Sequence, residues 1–140
     1  MIWHKKPELD FLNNKFNVGL SKFLKMSFSE IGDDYLKMQM EVDSDHWQPY
    51  GVLNGGASVA LAETVGSSAA NMVVDVSKFA AVGQEVNANH LRSYKSGTVT
   101  GTARPIHLGK RSHVWEIKIT NEEDELLCIS RLTMAIIEKN

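Results

Sequence analysis

The stretch that decides the fold is QPYGVLNGGASVALAETVGSSAA, residues 48–70. Glu63 is its only charged residue, and it lies among small and apolar residues on what we predict to be one long helix. A carboxylate in such surroundings is costly unless something requires it. Glu63 is therefore the first candidate functional residue. The positions predicted to share one helix face are Ala57, Ala60, Leu61, Thr64, Val65, Ser68 and Met72.

Strand patterns lie on both sides of this helix. Two segments with the alternation of a half-buried strand precede it and four strand-like segments follow it. The short turns between the later strands require antiparallel neighbours, because a parallel crossover needs about a dozen residues or more. A short opening helix is predicted within 7–14, with Pro7 at its first turn. The predicted strand segments are 22–32, 35–42, 79–93, 97–109, 112–121 and 126–137.

The central helix dictates how these strands are arranged. It is nearly apolar all round and its side chains are mostly small, so we expect it to be buried closely on several sides. A strongly curved antiparallel sheet wrapped around one long helix meets this requirement. That arrangement is the hotdog fold, of the α+β class. At this length we expect a single domain, residues 1–140.

Composition and charge exclude several classes of function. The chain is 43% hydrophobic and 23% charged, as an ordinary globular protein is. Its net charge of -2 gives no electrostatic case for nucleic acid or an anionic membrane as a partner. No segment reaches the roughly eighteen consecutive apolar residues of a membrane span, and the first ten residues lack the apolar stretch of a signal peptide. Cys128 is the only cysteine, which fits a cytoplasmic location, and its strand-like surroundings favour a buried spectator over a nucleophile.

The quoted stretch resembles the signature of the hotdog-fold acyl-CoA thioesterases, the PaaI-like family. It is most similar to their aryl-CoA branch, which includes the 1,4-dihydroxy-2-naphthoyl-CoA hydrolases of menaquinone biosynthesis. The likeness continues through VGQEVNANHLRS at 82–93, PIHLGKRSHVWEI at 105–117 and SRLTMAII at 130–137, and so covers almost the whole chain. The resemblance implies an enzyme that hydrolyses an aryl- or acyl-CoA thioester to the free acid and CoA. Coenzyme A is then part of the substrate, and no separate cofactor is expected.

The resemblance also implies roles for individual residues. The Glu63 carboxylate is the implied nucleophile or general base, and the backbone N–H of Gly55 is implied to polarise the thioester carbonyl. Gln48, Asn54 and Ser67 complete the implied catalytic set. The residues implied to hold the nucleotide or pantetheine part of CoA are Gly83, His90, Arg92, Ser93, His107, Gly109, Lys110 and Arg111.

One position departs from the family pattern. Most members carry HGG where this chain has NGG, so Asn54 replaces a histidine. An asparagine amide can donate a hydrogen bond, but it cannot shuttle a proton near pH 7. Asn54 is equally suited to cap the helix, and both roles stay open at this stage.

The chemistry of a thioester fits these residues independently. Attack on the carbonyl places negative charge on oxygen, and a helix N-terminus offers free N–H groups and a positive dipole end to stabilise it. Glycine at 55 and 56 lets a ligand approach the backbone closely, although the pair could simply turn the chain into the helix. No basic residue lies between Gln48 and Lys78 to pair with Glu63. Ser67 shares the helix face of Glu63 and could orient it, or it could serve packing alone.

Two other function classes compete with hydrolysis. A hotdog hydratase or dehydratase would act on the same kind of thioester, but the absence of a histidine at position 54 counts against it. A non-catalytic binder of acyl-CoA or of a small aromatic ligand is the other alternative. The five histidines lack the spacing of metal ligands, so no metal site is predicted.

The predicted site needs two chains. Gly55 and Glu63 lie eight residues apart, which is about 12 Å along one helix, whereas a nucleophile must approach within about 3 Å of the carbonyl carbon. An antiparallel two-fold pairing of helices brings the start of one beside the middle of the other. We therefore expect a homodimer at the least, and by resemblance a homotetramer built from two such dimers.

Overall fold

Six antiparallel strands curve around one long helix in this protein, and the computed structural model describes all 140 residues. The strand order in the sheet is β1-β2-β4-β5-β6-β3. The central helix, α3, spans Gly55–Val73. The predicted hotdog architecture is confirmed. The strands are β1 Met26–Ile31, β2 Leu36–Val42, β3 Phe79–His90, β4 Gly97–Leu108, β5 Ser112–Thr120 and β6 Leu126–Glu138.

Two short helices and one 3₁₀ turn complete the chain. Helix α1 spans Leu9–Lys15, which overlaps the segment 7–14 predicted for the opening helix and ends one residue beyond it. Helix α2, Leu20–Phe23, was not predicted, and the 3₁₀ turn is Ser44–His46. The first strand was predicted to include residue 24, which is wrong. Lys25 has a φ of 61°, a left-handed conformation that breaks the extended chain just before Met26.

The core lies between the inner face of the sheet and one side of α3. On β2 every second residue is buried, as the alternation predicted: Leu36, Met38, Met40 and Val42. On α3 the prediction is correct for Leu61, Val65 and Met72, which are buried. Burial of such side chains contributes on the order of 2 kcal/mol each to stability.

Of the remaining predicted positions, Ala57 and Ala60 are partly buried and pack against the core. Ala62, Gly66 and Ala69, which the spacing did not single out, are also buried. A Cβ at Gly66 would lie 2.6 Å from the side chain of Leu132, so glycine allows the helix to approach the sheet closely. The predicted positions that are only half-buried in this single chain are Ala57, Ala60, Thr64 and Ser68.

Strand β3 lies at the edge of the sheet and runs antiparallel to α3. Asn71, near the end of α3, exchanges two hydrogen bonds with the backbone of Ala81, near the start of β3. The other end of β3, at His90, lies beside the start of α3. The edge strand thus follows the helix along its length, and this arrangement positions the candidate site. None of the helices combines the length and the apolarity that a membrane crossing requires.

Candidate active site

A tight loop between Trp47 and Leu53 precedes the start of α3. Trp47 and Leu53 form an isolated antiparallel bridge, and the N–H of Gln48 donates to the carbonyl of Val52 at 2.9 Å. The turn between them requires a φ of +78° at Gly51, which glycine adopts without strain. The side-chain oxygen of Gln48 accepts a hydrogen bond from the N–H of Tyr50, so its amide group is left free to donate.

The first turn of α3 leaves one N–H without a partner. Asn54 caps the helix, because its side-chain oxygen accepts from the N–H of Gly56 at 2.8 Å. The N–H groups of Ala57 and Ser58 donate to the Asn54 carbonyl. Gly55 alone keeps a free N–H, at the positive end of the helix dipole. The capping role of Asn54 is therefore present in the structure, while its amide NH₂ makes no hydrogen bond within the chain.

A cleft of about 400 Å³ opens at this helix end. It brings together five of the residues implicated by sequence from two separate segments of the chain. The helix start contributes Gly55, and the segment after β3 closes the opposite wall. Its lining residues are Gln48, Val52, Leu53, Gly55, Ser58, His90, Leu91, Arg92, Ser93, Tyr94 and Leu127.

Tyr94 and Glu122 brace this wall, and sequence reasoning did not identify either residue. The carbonyl of Tyr94 accepts from the N–H of Leu53 at 2.7 Å, which ties the segment after β3 to the loop before α3. Its hydroxyl donates to Glu122 at 3.0 Å, and Thr98 donates its N–H to the same carboxylate oxygen at 2.9 Å. The hydrogen bond from Thr98, followed by that from Tyr94, lowers the pKa of Glu122. Burial and the Glu122 carboxylate raise the pKa of Tyr94 to about 12, so it remains a neutral donor.

Arg92 is engaged within the chain. One of its guanidinium nitrogens lies 3.1 Å from the carboxylate of Glu125, and both side chains are largely exposed. An exposed pair of this kind contributes about 0–1 kcal/mol. A phosphate group can therefore compete for Arg92 at little cost.

The Glu63 carboxylate lies away from this cleft, about two turns along α3. Its side chain is half-buried and forms no ion pair within the chain, as the lack of nearby basic residues predicted. It lies against the backbone of Gly83, where a Cβ would be only 2.6 Å from its Oε2. Ser67 is half-buried on the same face but makes no hydrogen bond to Glu63 within the chain, so its orienting role stays a prediction.

The remaining predicted CoA contacts lie on the hairpin between β4 and β5. His107 belongs to β4, and Gly109 donates its N–H to the carbonyl of Ser112 to close the turn. Lys110 and Arg111 are exposed at its tip. The carbonyl of Arg111 accepts from Ile136, whose neighbour across the sheet is residue 81 at the start of β3. The hairpin is therefore at the Gly83 end of the sheet and not at the His90 end.

The predicted residues thus form two clusters within one chain. The first, the helix-start cluster, comprises Gln48, Asn54, Gly55, His90, Arg92 and Ser93. The second, the carboxylate cluster, comprises Glu63, Ser67 and Gly83. The hairpin residues His107, Gly109, Lys110 and Arg111 lie at the same end of the sheet as Gly83.

Other candidate groups lie outside both clusters. Cys128 is buried, and burial raises the pKa of its thiol, which suits the spectator role predicted for it. No group of three His, Cys, Asp or Glu side chains is placed to hold a metal ion. A larger depression of about 680 Å³ lies on the outer face of the sheet, but only polar and charged side chains line it and it contains no predicted site residue.

A segment that contains residues of both clusters matches a known protein family. Residues 50–128, which include the helix start, Glu63 and all of β3, match the model of the thioesterase superfamily. The chain belongs to this superfamily. Two relatives that span nearly the whole length of this chain carry hydrolytic names. It is 47% identical to the 1,4-dihydroxy-2-naphthoyl-CoA hydrolase of Escherichia coli, covering 98% of this chain and 100% of the relative. It is 40% identical to the proofreading thioesterase EntH of Cronobacter turicensis, covering 98% and 99%.

Solved structures agree with the fold. A crystal structure of a thioesterase from Pseudomonas aeruginosa, in a variant with one glutamine replaced by alanine, superposes with a TM-score of 0.96. The two chains are 44% identical, and the match covers 99% of this chain and 100% of the other. The hotdog fold predicted from the sequence is therefore also that of a solved thioesterase.

Proposed function

We propose that this protein is an acyl-CoA thioesterase that hydrolyses an aryl- or acyl-CoA thioester to the free acid and CoA. The observation that carries the proposal is the free N–H of Gly55, which opens onto a cleft at the positive end of α3. A donor held there in advance stabilises the negative charge that develops on a carbonyl oxygen during attack. Glu63 supplies the other half of the reaction, as general base toward water or as nucleophile toward the carbonyl carbon.

A homodimer completes the site. Gly55 and Glu63 are separated by about 12 Å along one helix, and within one chain they belong to different clusters. The outer edge of β3 has no neighbouring strand in this chain, and unpaired edges readily add another strand. Two-fold pairing along β3 sets α3 antiparallel to its copy, so the helix-start cluster of one protomer faces the carboxylate cluster of the other. A tetramer is a pair of such dimers.

The cations near the two clusters suit the phosphates of CoA. Lys110 and Arg111 are exposed at the hairpin tip, and Arg92 is held only by a surface ion pair. Arginine and lysine are the common protein partners of phosphate. We propose that in the dimer the hairpin tip of one chain and Arg92 of the other hold the nucleotide end of CoA.

For the acyl group we propose an aromatic acid, with 1,4-dihydroxy-2-naphthoyl-CoA as the first substrate to test. The support is the name of the Escherichia coli relative, at 47% identity. The Cronobacter relative, at 40%, is a proofreading thioesterase, so related chains differ in task. The substrate panel therefore includes other aryl-CoA and fatty acyl-CoA thioesters.

A thiol-release assay over this panel tests the proposal. We expect turnover of at least one aryl-CoA thioester, and loss of that turnover in Glu63→Gln. A protein that binds acyl-CoA in calorimetry but releases no thiol from any member would be a binder. Hydration of an enoyl-CoA without thiol release would indicate the dehydratase class instead.

A further inference from the structure

The imidazole of His90 lies directly on the backbone of Gly55. A Cβ built at Gly55 would be 2.8 Å from Nε2, 3.0 Å from Cε1 and 3.3 Å from Cδ2 of that ring. Because a Cβ lies about 1.5 Å from its Cα, Nε2 is within about 4.3 Å of the Gly55 Cα. Glycine at this position therefore makes room for the ring, with Nε2 as its nearest atom.

His90 is also free to bind something else. His46 shows what a structural histidine looks like in this protein: it is buried, and its ring nitrogens are engaged by the N–H of Asp43 and the carbonyl of Leu24. The ring of His90 is exposed and makes no hydrogen bond within the chain. It lines the same cleft as the free N–H of Gly55.

Two other donors of the cleft already have partners within the chain. The Tyr94 hydroxyl donates to Glu122, and the guanidinium of Arg92 is paired with Glu125. Asn54 uses its side-chain oxygen to cap α3, which fixes the orientation of its amide. The amides of Gln48 and Asn54 are also free to donate, and His90 differs from them in that its ring packs directly on the Cβ side of Gly55.

We propose that His90 is a second donor to the thioester carbonyl oxygen, acting beside the N–H of Gly55. This inference rests on the proposed thioesterase function and adds a catalytic residue to it. When water attacks the carbonyl carbon, Glu63 takes its proton, the C=O electron pair moves to oxygen, and Gly55 N–H and His90 Nε2–H bind that oxyanion. The electron pair then re-forms the C=O bond, the C–S bond breaks, and the CoA thiolate leaves and takes up a proton from Glu63 or solvent. If the Glu63 carboxylate itself attacks, the same donors bind the oxyanion, and water then hydrolyses the acyl anhydride on Glu63 to release the acid. His90 keeps its own proton throughout.

Steady-state kinetics separate this role from CoA binding. Removing one donor of an oxyanion hole costs about 10²- to 10³-fold in kcat, so we expect His90→Ala to lose about that much with little change in KM. His90→Gln retains an amide donor and should recover part of the loss. His4→Ala, an exposed histidine near Asp75, is the control and should match wild type. A raised KM with unchanged kcat in His90→Ala would assign the ring to CoA binding and overturn the proposal.

The carbonyl stretch of a bound substrate gives a direct readout. In the Glu63→Gln background, an aryl-CoA labelled with ¹³C at the thioester carbonyl should bind without turnover and show a band below its frequency in water. Adding His90→Ala should move that band back upward. A band that does not respond to His90→Ala would contradict the proposal, because hydrogen bonding to the oxygen would then be unchanged.

The proposed thioesterase function and the proposed role of His90 are contradicted by different results. If wild type hydrolyses no thioester, the proposed function fails. If wild type is active and Glu63→Gln is dead while His90→Ala keeps its full kcat, thioester hydrolysis stands and only the role of His90 is wrong.

Discussion

The carboxylate of Glu63 rests on the backbone of Gly83, so close that a Cβ there would lie 2.6 Å from its Oε2. Gly83 belongs to the edge strand β3, beside the register shift between Gly83 and Glu85. A bulge of this kind re-aims the neighbouring strand residues. Gly83 therefore positions the proposed catalytic carboxylate, in addition to any contact it makes with CoA.

Gly83→Ala should lower turnover without unfolding the protein. The new methyl group would meet the end of a flexible side chain, so Glu63 moves and the backbone does not. A displacement of about 1 Å from productive geometry can cost about 10²-fold in rate. On this basis we expect kcat to fall by about 10- to 100-fold while Tm stays unchanged. In a Glu63→Ala background the same substitution should have no further effect on the residual rate. An equal loss of kcat in both backgrounds would show that Gly83 does not act by positioning Glu63.

Glu63→Ala should lose at least roughly 10²- to 10³-fold in kcat, since a positioned base or nucleophile contributes about that much. The fold should survive, because the substitution removes a half-buried charge that has no cation partner. Thiol release and thermal melts measure the two effects. A rate above about half of wild type would exclude Glu63 from the chemistry.

Asn54→Ala should destabilise the protein by about 1 kcal/mol, because the cap on Gly56 is lost. Asn54→Asp keeps the capping oxygen and should restore stability, yet it places a negative charge beside the developing oxyanion and should therefore slow turnover. Asn54→His, which restores the pattern of the family, should be tolerated in turnover. Chemical denaturation and kcat, measured on the same samples, separate the cap from the chemistry. Equal stability of the alanine and wild-type proteins would show that the cap contributes nothing.

Gly55→Pro should abolish the oxyanion donor while preserving the helix. Proline is well tolerated at the first helical position, and Asn54 already has the extended conformation that a following proline requires, with a ψ of 130°. Gly55→Ala is the matched control, because it adds a Cβ against His90 but keeps the N–H. We expect a kcat for the proline variant about 10²-fold below that of the alanine variant. Similar rates would show that the N–H is not used.

Mixing two inactive variants tests the shared site. Glu63→Ala and Gly55→Pro chains, refolded together in equal amounts, should form hybrid dimers with one intact site and one doubly disabled site. Random pairing makes about half of the dimers hybrid, so about one quarter of wild-type activity should return. If hybrid dimers form, as native mass spectrometry would show, and the mixture stays inactive, each site is contained within one chain.

Glu122 should make stability depend on pH. Its pKa is lowered by the hydrogen bonds from Thr98 and Tyr94, so its carboxylate stabilises the folded state fully above its ordinary value of 4.5. That contribution is lost as the pH falls through the lowered pKa. Glu122→Gln should therefore have a lower Tm than wild type at pH 7, and the difference should close toward pH 3. Melting curves over this range test it, and a difference independent of pH would refute the linkage.

The periodicity of the chain was sufficient to predict the main elements. Alternation identified β1, β2 and β5, because a sheet covered on one face imposes a period of two, and the polar turns between strand-like segments separated the other strands. Helix α2 and the start of β1 at Met26 were missed, since the left-handed conformation of Lys25 leaves no trace in the apolar pattern. The burial of Ala62, Gly66 and Ala69 was also missed, because small residues lie on all sides of α3 and no single stripe marks the side that packs.

The sequence by itself determined the hotdog order of elements, the isolation of Glu63 and the glycine at the helix start, because each is a local property of residue type and spacing. Only the tertiary structure decided that Glu63 lies against Gly83 and that His90 lies against Gly55. It also decided that Tyr94, in the wall of the cleft, is hydrogen-bonded to Glu122. These contacts join residues far apart in the chain. Their distances depend on how β3 lies along α3 and on which side of the helix meets the sheet, and both follow from the packing of the whole core.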